Sequence, residues 1–122
     1  MRLLVLGGTG FVGGATVAAA VGRGWDVTVF NRGLHGTVPD GVRHLRGDRT
    51  AEGGLSALAG GEWDLAVDTW DGAPRVVLEN ARMLAASVGH YGYVSSRSVY
   101  HQPVPLGADE KSPIVDAAPD AT

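Results

Sequence analysis

Five of the eight residues from Gly7 to Gly14 are glycine, and they directly follow an apolar run. The run, Arg2–Leu6, predicts a buried strand, and the apolar residues of Phe11–Arg23 recur at helical spacing. Glycine permits turns and close backbone contacts that a side chain would block. The chain is therefore predicted to pass from a strand into a helix through a tight turn without side chains. The face expected to be apolar comprises Val12, Thr16, Val17, Ala20 and Val21.

Further apolar runs alternate with helical or glycine-rich stretches along the chain. Strands are predicted at Asp26–Phe30, Val42–Arg46, Asp64–Thr69 and Tyr91–Ser95, and helices at Ala51–Ala59 and Pro74–Val88. Strands separated by helices predict parallel βαβ units and a sheet covered on both faces. We expect an α/β fold of the doubly wound, Rossmann type with strand order 3-2-1-4-5, truncated after strand 5.

The composition is that of one soluble globular domain, with 122 residues of which 44% are hydrophobic. A net charge of −3 argues against a general nucleic-acid role, since phosphate binding needs a basic surface. The absence of cysteine excludes a thiolate zinc site, and the histidines are too scattered to predict a metal site. No stretch approaches the ~20 apolar residues of a membrane span. A cytoplasmic protein without a membrane partner is expected.

The glycine loop satisfies two dinucleotide-binding spacings, G-x-x-G-x-x-G from Gly7 and G-x-G-x-x-G from Gly8. One glycine permits the turn, another admits a pyrophosphate, and Gly13 lets the helix pack close to the sheet. Free N–H groups at the start of the helix are expected to face the ligand, helped by the helix dipole. The alternative is a glycine-rich turn without a ligand. The predicted contacts are Gly7, Thr9, Gly10, Phe11, Val12 and Gly13.

The end of the second strand indicates which dinucleotide is bound. An NAD site carries Asp or Glu about 20 residues beyond the glycines, where it binds the ribose hydroxyls. Here Asn31 stands at this position and Arg32 follows it. Asn does not repel a 2′-phosphate and Arg can bind one bidentately, so NADP(H) is favoured over NAD(H). A solvated loop arginine is the alternative for Arg32.

Five motifs together resemble the extended and atypical short-chain dehydrogenase/reductases, which include NAD-dependent epimerases/dehydratases and reductases. The motifs are GGTGFVG, FNRG, GDR, VDT and YVSSRSVY, which lie in this order from Gly7 to Tyr100. The resemblance implies that residues 1–101 form a partial NAD(P)-binding Rossmann domain. Residues 102–122 would form a proline-rich loop that leads toward the family's catalytic helix. The motifs specify no substrate.

The resemblance implies cofactor contacts at the ends of strands 3 and 4. Asp48 would accept a hydrogen bond from the adenine amino group, with Arg49 beside it. Asp68 and Thr69 would lie beside the ribose and phosphates. Trp70, just past strand 4, is a candidate for the wall of the cleft. Loop or turn capping is the alternative role for the two aspartates and for Thr69.

The resemblance also implies a catalytic serine after strand 5. Ser96 would polarise a substrate carbonyl or hydroxyl, and Ser98 is the second candidate. Val94 and Ser95 would contact the cofactor. Without the family, these serines would be expected to satisfy loop backbone groups.

The family's acid–base motif, Tyr-x-x-x-Lys, is missing. In the family its lysine lowers the tyrosine pKa, and the tyrosine moves a proton while hydride moves to or from nicotinamide. The only lysine is Lys111, and the residue four positions earlier is Gly107. We therefore expect an N-terminal part that is inactive alone, with strand 5 as an exposed edge that favours self-association.

Two functions stay open at this stage. The first is the NADP(H)-binding part of an oxidoreductase or epimerase that acts on a small carbonyl or hydroxyl compound, including one of sugar-nucleotide type. The second is a non-catalytic regulatory or RNA-binding Rossmann protein. The acidic isoelectric point, near 5.7, argues against RNA.

Overall fold

The structure, a computed structural model, describes residues 1–34, 36–95, 106–107 and 109–111. The domain boundary predicted near residue 101 lies outside these ranges. Within them, no helix is long and apolar enough to cross a membrane. The elements are β1 (Arg2–Leu6), α1 (Phe11–Gly22), β2 (Asp26–Asn31), β3 (Arg43–Arg46), β4 (Trp63–Asp68), α2 (Pro74–Leu84) and β5 (Val88–Tyr93).

The five strands form one sheet in the order β3-β2-β1-β4-β5, and all neighbouring strands are parallel. The predicted fold class and strand order are confirmed. β1 pairs with β2 on one side and with β4 on the other, so the strand order reverses between β1 and β4. Their carboxyl ends lead to Gly7 and Thr69, which places the glycine loop at this edge of the sheet.

Apolar side chains cover both faces of the sheet. Alternate residues of a strand point to opposite faces, and all four residues from Leu3 to Leu6 are buried. A strand that is apolar on both faces is typical of a parallel sheet covered on both sides. The first cluster comprises Leu4, Leu6, Phe30, Leu58, Trp63, Ala66 and Leu84. The second comprises Leu3, Val5, Val17, Ala20, Val27 and Val29.

The helix predicted at Ala51–Ala59 is wrong. The segment consists of turns and a 3-10 helix at Ser56–Leu58. Gly53 has φ +69°, which lies outside the right-handed helical region and interrupts an α-helix. Leu58 is nevertheless buried, so the segment still covers the sheet.

The predicted end of α2 and start of β5 are also wrong, because the helix ends at Leu84 and the strand begins at Val88. Trp63 donates a backbone hydrogen bond to Ser87 at 2.8 Å, and Trp63 pairs with Val88. The apolar spacing in the sequence continues the helix to Val88. Pairing with β4 nevertheless places Val88 in the sheet. Gly89, expected to end the helix, lies within β5.

The buried face of α1 is narrower than predicted. Gly13, Val17 and Ala20 are buried, whereas Val12 and Val21 are exposed. A helix with so many alanines and glycines has little amphipathic contrast, so its apolar spacing does not define the buried face. The buried stripe is instead set by the close packing of Gly13 on the loop before it.

The two phenylalanines test the core, because Phe30 is fully buried and Phe11 is 94% exposed. We expect Phe30→Ala to lower the free energy of unfolding by about 3–5 kcal/mol, since it removes buried surface and leaves a cavity. Phe11→Ala should change it by no more than about 0.5 kcal/mol. Urea unfolding followed by circular dichroism measures both. If Phe30→Ala does not fold, Phe30→Leu should still fall below Phe11→Ala, and equal stability of the pair would contradict the assigned core.

Candidate functional site

The glycine loop, Gly7–Gly13, carries the chain from the end of β1 into α1. The N–H of Gly7 donates to the carbonyl of Phe30 at 2.9 Å, which extends the pairing of β1 with β2. Gly7 and Gly8 then adopt φ +117° and +88°. Side chains rarely adopt these values, so the turn requires glycine at both positions.

The loop and the first turn of α1 are in backbone contact. A Cβ atom added at Gly13 would lie 2.6 Å from the backbone nitrogen of Gly8. A Cβ atom added at Gly8 would lie 2.8 Å from Cγ1 of Val29. Neither position can carry a side chain without movement of the backbone or the sheet. This packing fixes where α1 begins relative to β1.

The amino end of α1 leaves backbone donors available. The first intrahelical bond runs from the N–H of Gly14 to the carbonyl of Gly10, at 2.8 Å. The N–H groups of Phe11, Val12 and Gly13 therefore have no partner within the helix, and no side chain caps it. Together with the helix dipole, such donors favour an anion.

A cleft of about 220 Å³ lies beside the loop, at the carboxyl ends of β1 to β4. Trp70 lines it, as expected for a residue just past β4. Thr9, the start of α1, Asp68, Val94 and Ser95 do not line this cleft. The cleft brings together six of the predicted cofactor-binding residues, namely Gly7, Asn31, Arg32, Asp48, Arg49 and Thr69.

Asn31 connects the glycine loop to two strands. Its Nδ2 donates to the carbonyl of Gly7 at 2.8 Å. Its Oδ1 accepts from the N–H of Gly33 at 2.8 Å and from Nε2 of His44 at 2.6 Å. Both polar atoms of the amide are thus engaged within the protein, which gives Asn31 a bracing role. Sequence reasoning missed His44, whose contact depends on the pairing of β3 with β2.

Thr69 and Asp48 also bond within the protein; Asp48 contacts the nearby Thr50, as its alternative role in a loop predicts, whereas Thr69 contacts β1 and not the turn before Pro74. Oγ1 of Thr69 donates to the carbonyl of Leu6 at 2.8 Å, and a side chain at Gly7 would overlap this oxygen. Oδ1 of Asp48 accepts from the side chain of Thr50 at 2.6 Å and from its N–H at 2.9 Å. These bonds, with a smaller contribution from the charge of nearby Arg32, lower the pKa of Asp48. Asp48 therefore lines the cleft as a carboxylate.

Asp68 is fully buried at the end of β4 and faces the protein interior. Its Oδ1 accepts from Nη1 of Arg49 and from the N–H of Trp70, each at 2.9 Å. Its Oδ2 accepts from the hydroxyl of Tyr91. The structure thus places the carboxylate on three internal donors, and a contact of Asp68 with ribose stays a prediction. Tyr91, on β5, was missed by sequence reasoning because only the strand order brings it to Asp68.

The buried aspartate fixes one wall of the cleft. The side chain of Arg49 is only 7% exposed, and its Cζ lies 4.8 Å from the centre of the Trp70 ring. The indole N–H of Trp70 donates to the carbonyl of Ala73 at 3.1 Å, and the backbone N–H of Trp70 donates to Asp68, so both the ring and the backbone of this residue are held. A guanidinium stacked on an indole in this way gains cation–π energy and loses side-chain freedom.

The predicted catalytic residues Ser96 and Ser98 lie outside the described residues. The chain reaches them from Val94 and Ser95, which are exposed and follow β5. The N–H of Val94 donates to the carbonyl of Asp68 at 2.9 Å and so continues the pairing with β4. Their predicted contacts with a cofactor stay predictions.

Two glycines of α1 test the loop packing. Gly13→Ala should lower the free energy of unfolding by about 1–3 kcal/mol, because its Cβ would meet the backbone of Gly8. Gly22→Ala meets nothing within 4 Å and should raise it by up to about 1 kcal/mol, since alanine is the better helix former. Urea unfolding measures both variants. Equal effects of the same sign would show that α1 does not pack on the loop as described.

The stability at high pH tests the contact of Tyr91 with Asp68. Burial first, and then the hydrogen bond to the carboxylate, raise the pKa of Tyr91 well above its usual range. The protonated Tyr91 hydroxyl thus makes its full contribution to stability below about pH 10, the pKa of tyrosine in the unfolded chain. This contribution is lost as the pH rises further. Above that pH the unfolded chain releases a proton that the folded chain retains, so stability falls by up to about 1.4 kcal/mol per pH unit.

We expect Tyr91→Phe to lower stability at pH 7 by about 1–3 kcal/mol, because a buried carboxylate oxygen loses its donor. The variant should also lack the part of the alkaline decline that Tyr91 causes. Tyr93→Phe, whose hydroxyl donates to the carbonyl of Trp70, is the control and should retain that part. Urea-unfolding midpoints measured between about pH 8 and 11 compare the variants with the wild type. If the stability of Tyr91→Phe declines with pH as steeply as that of the wild type, the raised pKa of Tyr91 is refuted.

Comparisons with known proteins support the motif resemblance. No protein-family model matches the chain. A curated 2-alkyl-3-oxoalkanoate reductase from Stenotrophomonas maltophilia is 35% identical over 129 aligned residues, which cover 90% of this chain and 39% of the reductase. The chain thus spans about two fifths of that relative.

Solved structures share the fold. The UDP-glucose 4-epimerase of Thermus thermophilus, in complex with NAD, matches with a TM-score of 0.75 and 24% identity, over 98% of this chain and 46% of the epimerase. The Bordetella bronchiseptica enzyme WbmG, in complex with NAD and UDP, matches with a TM-score of 0.72 and 18% identity, over 94% of this chain and 44% of WbmG. The predicted resemblance to the extended short-chain dehydrogenase/reductases is thereby confirmed, over a stretch that spans less than half the length of these relatives.

Proposed function

We propose that this chain binds a nicotinamide dinucleotide, with NADP(H) preferred, as part of a short-chain dehydrogenase/reductase-type oxidoreductase or epimerase. One juxtaposition carries the proposal: the glycine loop and the open amino end of α1 adjoin a cleft at the carboxyl edge of the sheet. The NAD in two solved neighbours supports a nicotinamide dinucleotide in general. The preference for NADP(H) rests on residues of this chain alone.

The glycine loop fits a pyrophosphate. Gly8 and Gly13 hold the loop tightly against Val29 and the first turn of α1, whereas a Cβ atom added at Gly10 would meet nothing within 4 Å, so the backbone of Gly10 is open to a ligand. The N–H groups of Phe11, Val12 and Gly13 would bind the phosphates without any cationic side chain. Gly7, Thr9 and Gly10 complete the loop that we propose to hold this part of the cofactor.

The cleft beside the loop suits the adenosine half of the cofactor. Asp48 is a carboxylate on its rim and would accept a hydrogen bond from the adenine amino group. Arg49 and Trp70 form a rigid wall held by Asp68. Thr69 lies at the base, against Gly7. We propose that these groups orient the adenosine rather than take part in the chemistry.

The preference for NADP(H) follows from the end of β2. No carboxylate stands there to bind ribose hydroxyls, and the amide of Asn31 is engaged with Gly7, Gly33 and His44. Arg32 is exposed, lines the cleft and makes no ion pair within the described residues. A guanidinium in this position favours a ligand that carries a 2′-phosphate.

The nicotinamide, when bound, supplies the hydride acceptor or donor. We propose that Ser96, or alternatively Ser98, donates a hydrogen bond to a substrate carbonyl or hydroxyl. The names of the relatives support a small oxo compound or a sugar nucleotide as substrate. The activity of a whole protein that contains this stretch is part of the proposal, since the chain spans only part of these relatives.

Two further properties belong to the proposal. The absence of cysteine fits a reducing compartment, which supports a cytoplasmic location. β5 lies at one edge of the described sheet, and Tyr93 and Val94 are exposed there. An apolar strand edge of this kind favours pairing with a second copy of the chain.

Calorimetric titration with NADP⁺ and with NAD⁺ tests the cofactor proposal. The chain should bind NADP⁺ more tightly than NAD⁺. Arg32→Ala should weaken NADP⁺ binding about 10- to 100-fold and leave NAD⁺ binding unchanged, since a hydrogen bond to a charged group contributes about 1.5–3 kcal/mol. Arg23→Ala, an exposed arginine at the far end of α1, is the control and should change neither affinity.

The outcomes separate the two parts of this proposal. Binding of neither nucleotide would reject a dinucleotide site in this chain. Equal binding of both nucleotides, with no effect of Arg32→Ala, would retain the site and reject the preference for NADP⁺. A non-catalytic dinucleotide-binding protein would show the predicted binding, but no turnover in any longer protein that contains this stretch.

A further inference from the structure

We infer that Arg46, on β3, is a second residue that selects for the 2′-phosphate and acts together with Arg32. This inference rests on the proposed binding of NADP(H). Sequence reasoning considered only the residues that follow β2. The pairing of β3 with β2 adds Arg46, which lies fifteen positions from Asn31 along the chain and directly opposite it in the sheet.

The register places Arg46 at the correct edge of the sheet. Asn31 and Arg46 are partners in the β2–β3 pair, and each is the last residue of its strand. The next residues, Arg32 and Gly47, both line the cleft. Arg46 therefore ends its strand beside Asn31, one residue before the level of Arg32, close to the point where the predicted NADP(H) selectivity resides.

The guanidinium of Arg46 lies over the turn that follows β2. A Cβ atom added at Gly33 would lie 3.1 Å from Nε of Arg46 and 3.4 Å from its Cζ. Gly33 has φ +73°, a conformation that favours glycine. The missing side chain thus lets the guanidinium rest against the backbone immediately beyond Arg32. A groove of about 420 Å³ opens on this side of Gly33 and leaves room for a phosphate.

The charge of Arg46 is not used elsewhere among the described residues. Arg2, Arg49 and Arg75 pair with carboxylates there, whereas Arg46 is exposed and makes no such pair. Asp40 lines the same groove without an ion pair to Arg46. Arg46 therefore remains available to an anion from solution.

The ligand chemistry follows from this arrangement. Two planar guanidinium groups, one just after β2 and one at the end of β3, match a phosphate monoester, which carries close to two negative charges and several acceptor oxygens. The oxygen of Asn31 is held by Gly33 and His44, so it does not compete for the arginines. NAD has only a hydroxyl at this position, so its binding gains nothing from a second cation. Arg46 is thus expected to alter selectivity rather than affinity for dinucleotides in general.

The test measures Kd for NADP⁺ and NAD⁺ by calorimetry in wild type, Arg46→Ala, Arg46→Lys and Arg43→Ala. Arg46→Ala should weaken NADP⁺ binding about tenfold and change NAD⁺ binding less than about twofold. Arg46→Lys keeps the charge without the fork and should fall between wild type and Arg46→Ala. Arg43→Ala is the matched control, because Arg43 begins the same strand at the opposite edge of the sheet and should leave both affinities unchanged.

A purely structural role for Arg46 would not change the ratio of the two affinities. Equal weakening of NADP⁺ and NAD⁺ binding, or no change in either, would overturn the inference. If Arg32→Ala abolishes the preference and Arg46→Ala does not, the proposed function stands and the role of Arg46 falls. If wild type binds neither nucleotide, the proposed function itself fails. Circular dichroism of each variant shows that the fold is retained.

Discussion

The carboxyl edge of the sheet depends on one backbone contact, the packing of Gly13 against Gly8. A Cβ atom at Gly13 would come within 2.6 Å of the Gly8 nitrogen, so α1 reaches its position only because both residues lack side chains. This position determines where the free N–H groups of the first helical turn point. Asn31 and Thr69 then hold the loop from the neighbouring strands, through the carbonyls of Gly7 and Leu6. The open amino end of α1 is thus held in place by contacts within the protein itself.

The charges at this edge are divided between the interior and the surface. Asp68 is buried and satisfied by Arg49, the N–H of Trp70 and Tyr91, which offsets the cost of removing a carboxylate from water. Arg32 and Arg46 remain outside and make no ion pair within the described residues. Two guanidinium groups without ion pairs in the described part of the chain thus lie beyond β2, close to the carboxylates of Asp48 and Asp40, although the chain as a whole carries a net charge of −3. Local pairing, rather than net charge, determines which charged groups this edge exposes to solvent.

Sequence reasoning succeeded where the signal is local. The strand before Gly7, the helix after it and the order of the strands follow from spacing and from the general rules for parallel sheets. It failed where distant residues meet. The contacts of Asn31 with His44 and of Asp68 with Tyr91 depend on strand register, which a single sequence does not encode in a readable pattern. β5 begins early for the same reason, because pairing with β4 outweighs the helical spacing of the preceding residues.

The relatives bear on which part of the proposed function this stretch of chain would perform. A 2-alkyl-3-oxoalkanoate reductase and a UDP-glucose 4-epimerase act on different substrates, yet each is matched by nearly all of this chain. A segment matched in enzymes with such different substrates does not itself specify a substrate, which fits the proposal that it binds the cofactor. Under that proposal, residues near the ends of β2 and β3 would decide which form of the cofactor is preferred. These residues are Asn31, whose amide is engaged within the protein, and the arginines at positions 32 and 46. The residues that would select between NADP(H) and NAD(H) therefore lie outside the glycine motif.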